Sequence, residues 1–169
     1  MSIEASTYAA ADTLRDGRRI VVRALAPTDR EALLAAVGNV GQNSLYRRFF
    51  GFKRQFSEQE VDYYVNVDFD RHVALVAVMG NEIVGAGRYV CGDPGQAEIA
   101  LAITDAWQGN GIGTLLVRHL LILARLQGLK HMQAEVLAEN TPMLKVFAQA
   151  GVSLKTSNRS GVVHVVMDL

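Results

Sequence analysis

The stretch ITDAWQGNGIGT, Ile103 to Thr114, decides how this chain folds. A strand-like segment, Gln96 to Ile103, leads into it. A long apolar segment, Ile112 to Gln127, leads out and reads as a buried helix ending at Gly128. Gly109, Gly111 and Gly113 therefore stand where strand turns into helix. Glycine accepts left-handed backbone angles and lets a ligand approach the main chain. A helix start carries unpaired N–H groups and the positive end of the helix dipole, which together suit a phosphate or pyrophosphate. A dinucleotide-binding fingerprint does not fit, because the third glycine comes one residue too early for GxGxxG. A P-loop does not fit either, because no Gly-Lys-Ser or Gly-Lys-Thr follows.

Upstream of this stretch, His72–Met79 and Glu82–Val90 read as strands joined by the turn Gly80-Asn81, and Gly92-Asp93-Pro94-Gly95 turns into Gln96–Ile103. Earlier still, Arg19–Ala24 is a β-branched strand. Thr28-Asp29-Arg30-Glu31 and Ser57-Glu58-Gln59-Glu60 match capping boxes that open helices ending near Val37 and Val67. Asn43 caps a short helix, Ser44–Phe50, with Leu45, Tyr46, Phe49 and Phe50 on one face. Downstream, His131–Leu137 is a strand, parallel to Gln96–Ile103 if the intervening helix crosses over right-handed. Thr141 and Pro142 open a helix ending at Gly151. Val152–Thr156 and Val162–Leu169 close as an antiparallel pair. This order predicts an α/β (α+β) domain with a mixed sheet. Residues 1–17 are small and polar and are expected to be a flexible N-terminal segment, with one domain over 18–169.

Composition narrows the function. The 169 residues are 50% hydrophobic and 20% charged, with zero formal net charge. That balance argues against a general grip on nucleic acid or an anionic membrane. Arg47, Arg48, Lys53 and Arg54 are interleaved with Tyr46, Phe49, Phe50, Phe52 and Phe56. In a neutral chain this reads as an amphipathic helix with a basic rim. The single Cys91 forms no internal disulfide, so a reducing, cytoplasmic setting is the simplest reading. The N-terminus lacks the pattern of a secretory signal, and no apolar run approaches the ~20 residues that span a bilayer. The four histidines show no metal-ligand spacing, so no metal is expected.

Two segments now acquire a family. Gln108-Gly109-Asn110-Gly111-Ile112-Gly113 matches a pattern of Gln or Arg, two residues, Gly, one residue, Gly or Ala. Asn140, Val146-Phe147 and Gly151 resemble a later Asn, Leu-Tyr, Gly-Phe segment. At this spacing the chain resembles the GNAT superfamily of acyl-CoA N-acyltransferases over Arg19–Leu169. The likeness implies a mixed, mostly antiparallel six- to seven-stranded sheet with helices on both faces. It also implies a splayed parallel pair made by Gln96–Ile103 and His131–Leu137, for which a bulge is one cause. Acetyl-CoA would be the acyl donor and an amine the acceptor. Gln108, Gly109, Asn110, Gly111, Ile112, Gly113 and Thr114 would hold the pyrophosphate. Leu101, Ala102, Ile103 and Asn140 would bond the pantetheine arm, and Phe147 would wall the coenzyme. Many family members have Tyr where Phe147 stands, so a phenolic acid for the leaving thiolate is absent there.

Glu98 is the expected base: an acidic residue in an apolar strand, whose partial burial would raise its pKa. Its competing role is a surface residue or a partner for Arg88. In this the chain looks like bacterial protein-lysine acetyltransferases of the Pat type, as does Ser44–Phe50. Protein lysine and small amines both stay open as acceptors, as do a longer acyl group, a non-catalytic acyl-CoA-binding domain, and a monomer or homodimer.

Overall fold

The structure of the protein, a computed structural model, describes residues 5–38 and 57–169. The Ser44–Phe50 helix and the basic-aromatic cluster expected around it lie outside the described residues. The strands are β1 Ala9–Thr13, β2 Arg19–Ala24, β3 His72–Met79, β4 Glu82–Cys91, β5 Gln96–Ile103, β6 His131–Leu137, β7 Ser153–Arg159 and β8 Val162–Asp168. The described helices are α1 Arg30–Gly38, α2 Glu58–Val65, α3 Ile112–Leu126 and α4 Thr141–Ala148. The strands form one sheet in the order β1-β2-β3-β4-β5-β6-β8-β7. Every neighbouring pair is antiparallel except β5 and β6, the pair that α3 connects.

Helices cover both faces. On one, Ile112, Leu116 and Leu120 of α3 pack with Leu75, Tyr89, Ile99 and Leu101 in the larger core. On the other, Leu33 of α1 and Val61 and Val65 of α2 pack with Ala74, Val76 and Ile83. β3 is covered from both sides, so its first six residues are all buried. That double burial is why HVALVAVM is apolar without alternation.

Ser57 opens α2 with the expected reciprocal cap: its Oγ accepts from Glu60 N at 3.1 Å, and Glu60 Oε1 accepts from Ser57 N at 3.2 Å. The Thr28–Glu31 box does not form. Asp29 caps the turn instead, accepting from Ala26 N at 2.8 Å while the Arg23 guanidinium grips its two oxygens at 2.8 and 2.9 Å. That guanidinium holds the Asp29 carboxyl below the usual carboxylate range.

Within the 1–17 segment expected to be flexible, residues 8–14 are tied to the rest of the fold. Ala9–Thr13 pairs with β2 along its length and brings the sheet to eight strands, one more than expected. Its sequence, AAADT, has weak intrinsic strand preference. Long-range contacts hold it. Asp12 Oδ2 accepts from His119 Nε2 at 2.8 Å, Tyr8 Oη donates to His119 Nδ1 at 2.5 Å, and Leu14 is buried.

Two glycines on β4 let α3 lie close to the sheet. A Cβ on Gly87 would stand 2.6 Å from Leu101 Cδ2 and 2.9 Å from Leu120 Cδ1. Gly87→Ala is therefore expected to destabilise the fold by about 1–3 kcal/mol through overpacking. Urea unfolding followed by circular dichroism measures this, and an unchanged midpoint would show that the helix can retreat freely.

Candidate functional site

β5 and β6 pair at Gln96↔His131, Ala97↔Met132 and Glu98↔Gln133, then separate. Beyond that point β5 stays paired with β4 as far as Ile103↔Gly85. β6 stays paired with β8 as far as Leu137↔Val162. Each strand follows its outer neighbour, and the two diverge. The register between β4 and β5 is unbroken, so no bulge in β5 opens the gap. The register break lies between β3 and β4, opposite Ala77 and Val78. A cavity of about 490 Å³ fills the opening, with residues 98–103 on one lip and 134–136 on the other. Main-chain groups of β5 that would have bonded β6 face this space.

The glycine loop closes one end of the cavity. Buried Thr104 anchors its start, with N and Oγ1 both donating to Val84 O at 3.0 and 3.2 Å. Gln108 Nε2 donates to Ile103 O and Asp105 Oδ1, each at 3.2 Å. Asn110 Nδ2 donates to Trp107 O at 3.0 Å and Gln108 O at 3.2 Å. These two side chains shape the loop from within. The donor expected of the Gln108 side chain is already engaged, and Asn110 does not line the cavity.

Gly109 and Gly111 have φ of +80° and +83°, and a Cβ on either would meet no protein atom within 4 Å. Gly113 has a different role: its Cβ would stand 3.1 Å from Val146 Cγ2, so it admits α4. The first α3 bond to this loop runs from Leu115 N to Gly111 O at 3.1 Å. The amides of Ile112, Gly113 and Thr114 thus have no acceptor within the helix. All three residues line the cavity.

Asn140, rather than Thr141, caps α4: its Oδ1 accepts from Met143 N at 3.3 Å. Its acceptor is engaged, which leaves the Nδ2 donor for a ligand. Phe147 is buried, 2% exposed, and walls the same cavity.

Glu98 occupies the branch point, in the last paired register before the strands part. The partial burial expected of it is not present, and the residue is exposed. Alternation along β5 sends Ala97, Ile99 and Leu101 into the α3 core. Glu98 therefore turns to the α2 face. A second cavity of about 430 Å³ opens on that face, lined by Tyr63, Tyr64, Arg88, Asp93 and Gln133, and Glu98 borders both spaces. Arg88 donates to Tyr64 O at 3.2 Å and to His72 Nε2 at 2.8 Å, with its guanidinium 4.7 Å from the Tyr64 ring centroid. His72 is consequently neutral. Burial, reinforced by the Arg88 charge, pushes its pKa down from 6.5 to about 4. Burial also pushes the Cys91 thiol up, away from thiolate chemistry. Arg15, in the turn between β1 and β2, reaches the first cavity from a segment expected to be flexible.

Residues 42–152 match the acetyltransferase (GNAT) family. The chain belongs to that family. An acetyltransferase of Pseudomonas aeruginosa is 31% identical over 137 residues, covering 78% of this chain and 74% of that protein. The GNAT domain of S. lividans PAT superposes with a TM-score of 0.88 at 35% identity, over 95% of this chain and 97% of that one. The acetyltransferase Pat of Mycolicibacterium smegmatis is 28% identical over 142 residues. Those residues are 82% of this chain but 42% of that protein, so this chain spans less than half of its length. GNAT membership makes acetyl-CoA the acyl donor and an amine the acceptor.

Two tests follow from the site. Gly111→Ala costs about 1–2 kcal/mol in backbone strain, yet its methyl group meets only open space. The expected result is a folded protein whose Kd for coenzyme A rises on the order of tenfold, read by calorimetry. Second, the unfolded chain protonates His72 near pH 6.5, while the folded chain resists until about pH 4. Stability should therefore fall as pH drops through that window, and the decline should be shallower in His72→Gln. Denaturant titrations at pH 7 and 4.5 measure both slopes.

Proposed function

We propose that this GNAT enzyme acetylates a primary amine by direct attack on acetyl-CoA, that the acceptor is a protein lysine, and that Glu98 takes the proton. The observation that carries this reading is the placement of Glu98 at the parting of β5 and β6, bordering both cavities. With the pyrophosphate on the amides of residues 112–114, the pantetheine arm runs along the open edge of β5. The thioester then comes to rest in the gap. The amine approaches from the α2 face, where Tyr63 and Tyr64 suit an alkyl chain and Asp93 and Glu98 suit its ammonium head. Glu98 accepts the ammonium proton, directly or through water. The amine nitrogen then bonds the carbonyl carbon, and main-chain N–H groups near Leu101–Ile103 hold the developing oxyanion. As the tetrahedral centre collapses, the C–S bond breaks and coenzyme A leaves as thiolate. Phe147 has no hydroxyl to protonate it; the attacking nitrogen sheds its second proton on becoming the amide, and water relays that proton to the sulfur. Likeness to two proteins named Pat supports a protein acceptor over a small amine. No described helix is long and apolar enough to cross a membrane, and a cytoplasmic setting accords with the lone cysteine.

Glu98→Gln should lower kcat by about 10²–10⁴-fold while leaving the Kd for coenzyme A near that of the wild type. Thiol release measured with lysine-bearing proteins, short peptides and small amines provides the readout. Wild-type turnover in Glu98→Gln would falsify the base assignment, and turnover confined to small amines would exclude the protein acceptor.

A further inference from the structure

The glycine loop presents amides but no cation: residues 103–114 contain neither Lys nor Arg, and Asp105 adds a negative charge. Coenzyme A brings a pyrophosphate and a 3′-phosphate to this end of the molecule. In the cavity wall, Arg15 and Lys145 are the described cations. We propose that Arg15 binds a phosphate group of acetyl-CoA, which makes the turn between β1 and β2 a built part of the donor site. This rests on the donor-site reading above.

The turn is held in place next to the glycine loop. Leu14 is buried beneath it, 7% exposed, and Leu14 N donates to Arg18 O at 2.8 Å. Gly17 N donates to Leu14 O at 2.9 Å, with Gly17 at φ +91°. The Arg18 guanidinium lies 4.6 Å from the centre of the Trp107 ring, and its Nη2 donates to Asn110 Oδ1 at 3.4 Å. Two arginines on one turn thus have different tasks. Arg18 also pairs with Asp16 and fastens the turn to the loop. Arg15 makes no hydrogen bond or ion pair among the described residues, and it borders the same cavity as Gly109 and Gly111. A guanidinium fork matches phosphate oxygens in two parallel bonds and supplies the full charge that helix amides lack.

The test is calorimetric and kinetic, on wild type, Arg15→Gln, Arg15→Lys and the distant surface control Arg159→Gln, with acetyl-CoA and its 3′-dephospho analogue. Arg15→Gln should weaken coenzyme binding by about 3- to 30-fold. It should raise KM more than it lowers kcat, with a larger effect at low salt. Arg15→Lys should recover part of the loss, and Arg159→Gln should show none. A loss that disappears with the dephospho analogue identifies the 3′-phosphate as the partner, and a loss that persists identifies the pyrophosphate. Arg15→Gln binding both coenzymes within twofold of wild type overturns the proposal, as does an equal loss in Arg159→Gln. If wild type itself binds neither coenzyme, the donor site falls and Arg15 falls with it.

Discussion

The site depends on a competition for hydrogen bonds. β5 and β6 are neighbours for three residue pairs, and each is then held more firmly by the strand on its other side. A sheet that stayed zipped would bury its main chain completely and leave nowhere for an acyl group to lie. Because the strands part, one stretch of β5 keeps unsatisfied backbone groups in the middle of the fold. The same parting creates a window through the sheet. The helix start lies on one side of it and the α2 face on the other, and Glu98 sits on the sill.

Around that window the chain separates rigidity from recognition. Gln108 and Asn110 commit their side chains to the loop itself and Thr104 ties its start to β4, so the amides at the start of α3 are fixed before any ligand arrives. Gly85 and Gly87 bring α3 against β4, and Gly113 brings α4 against α3. Gly109, Gly111 and Gly113, which look alike in the sequence, thus differ in purpose. Two supply left-handed backbone and the third supplies room. Preorganised donors of this kind need little rearrangement when charge arrives.

Much of this was legible in the sequence because the signals are local. The strand-turn-helix of 96–127, the Ser57–Glu60 cap, the hairpins and the parallel pair all follow from spacing and turn chemistry, and the GNAT likeness adds the opening between strands. Other features were hidden because their causes lie far away in the chain. β1 exists because Asp12 and Tyr8 find His119, more than a hundred residues on. The Thr28 box lost to Asp29 because Arg23 offers a charged partner that a hydroxyl cannot attract. Glu98 is exposed because the face it turns to opens into a cavity, which an apolar strand sequence does not reveal. His72 and Arg88 looked unrelated at a separation of sixteen residues, yet cross-strand packing joins them.

The two borders of the sheet are guarded in different ways. At one border, β7 carries Lys155, Asn158 and Arg159 and is largely exposed, which discourages another chain from pairing there. At the other, β2 reads RIVVRA, and the short β1 with Tyr8 covers its outer hydrogen-bonding groups among the described residues. A proteolytic nick that released β1 would uncover a short β-branched template, the kind of surface on which chains stack edge to edge. The modest opening strand is therefore a guard against aggregation as well as the bracket that carries Arg15.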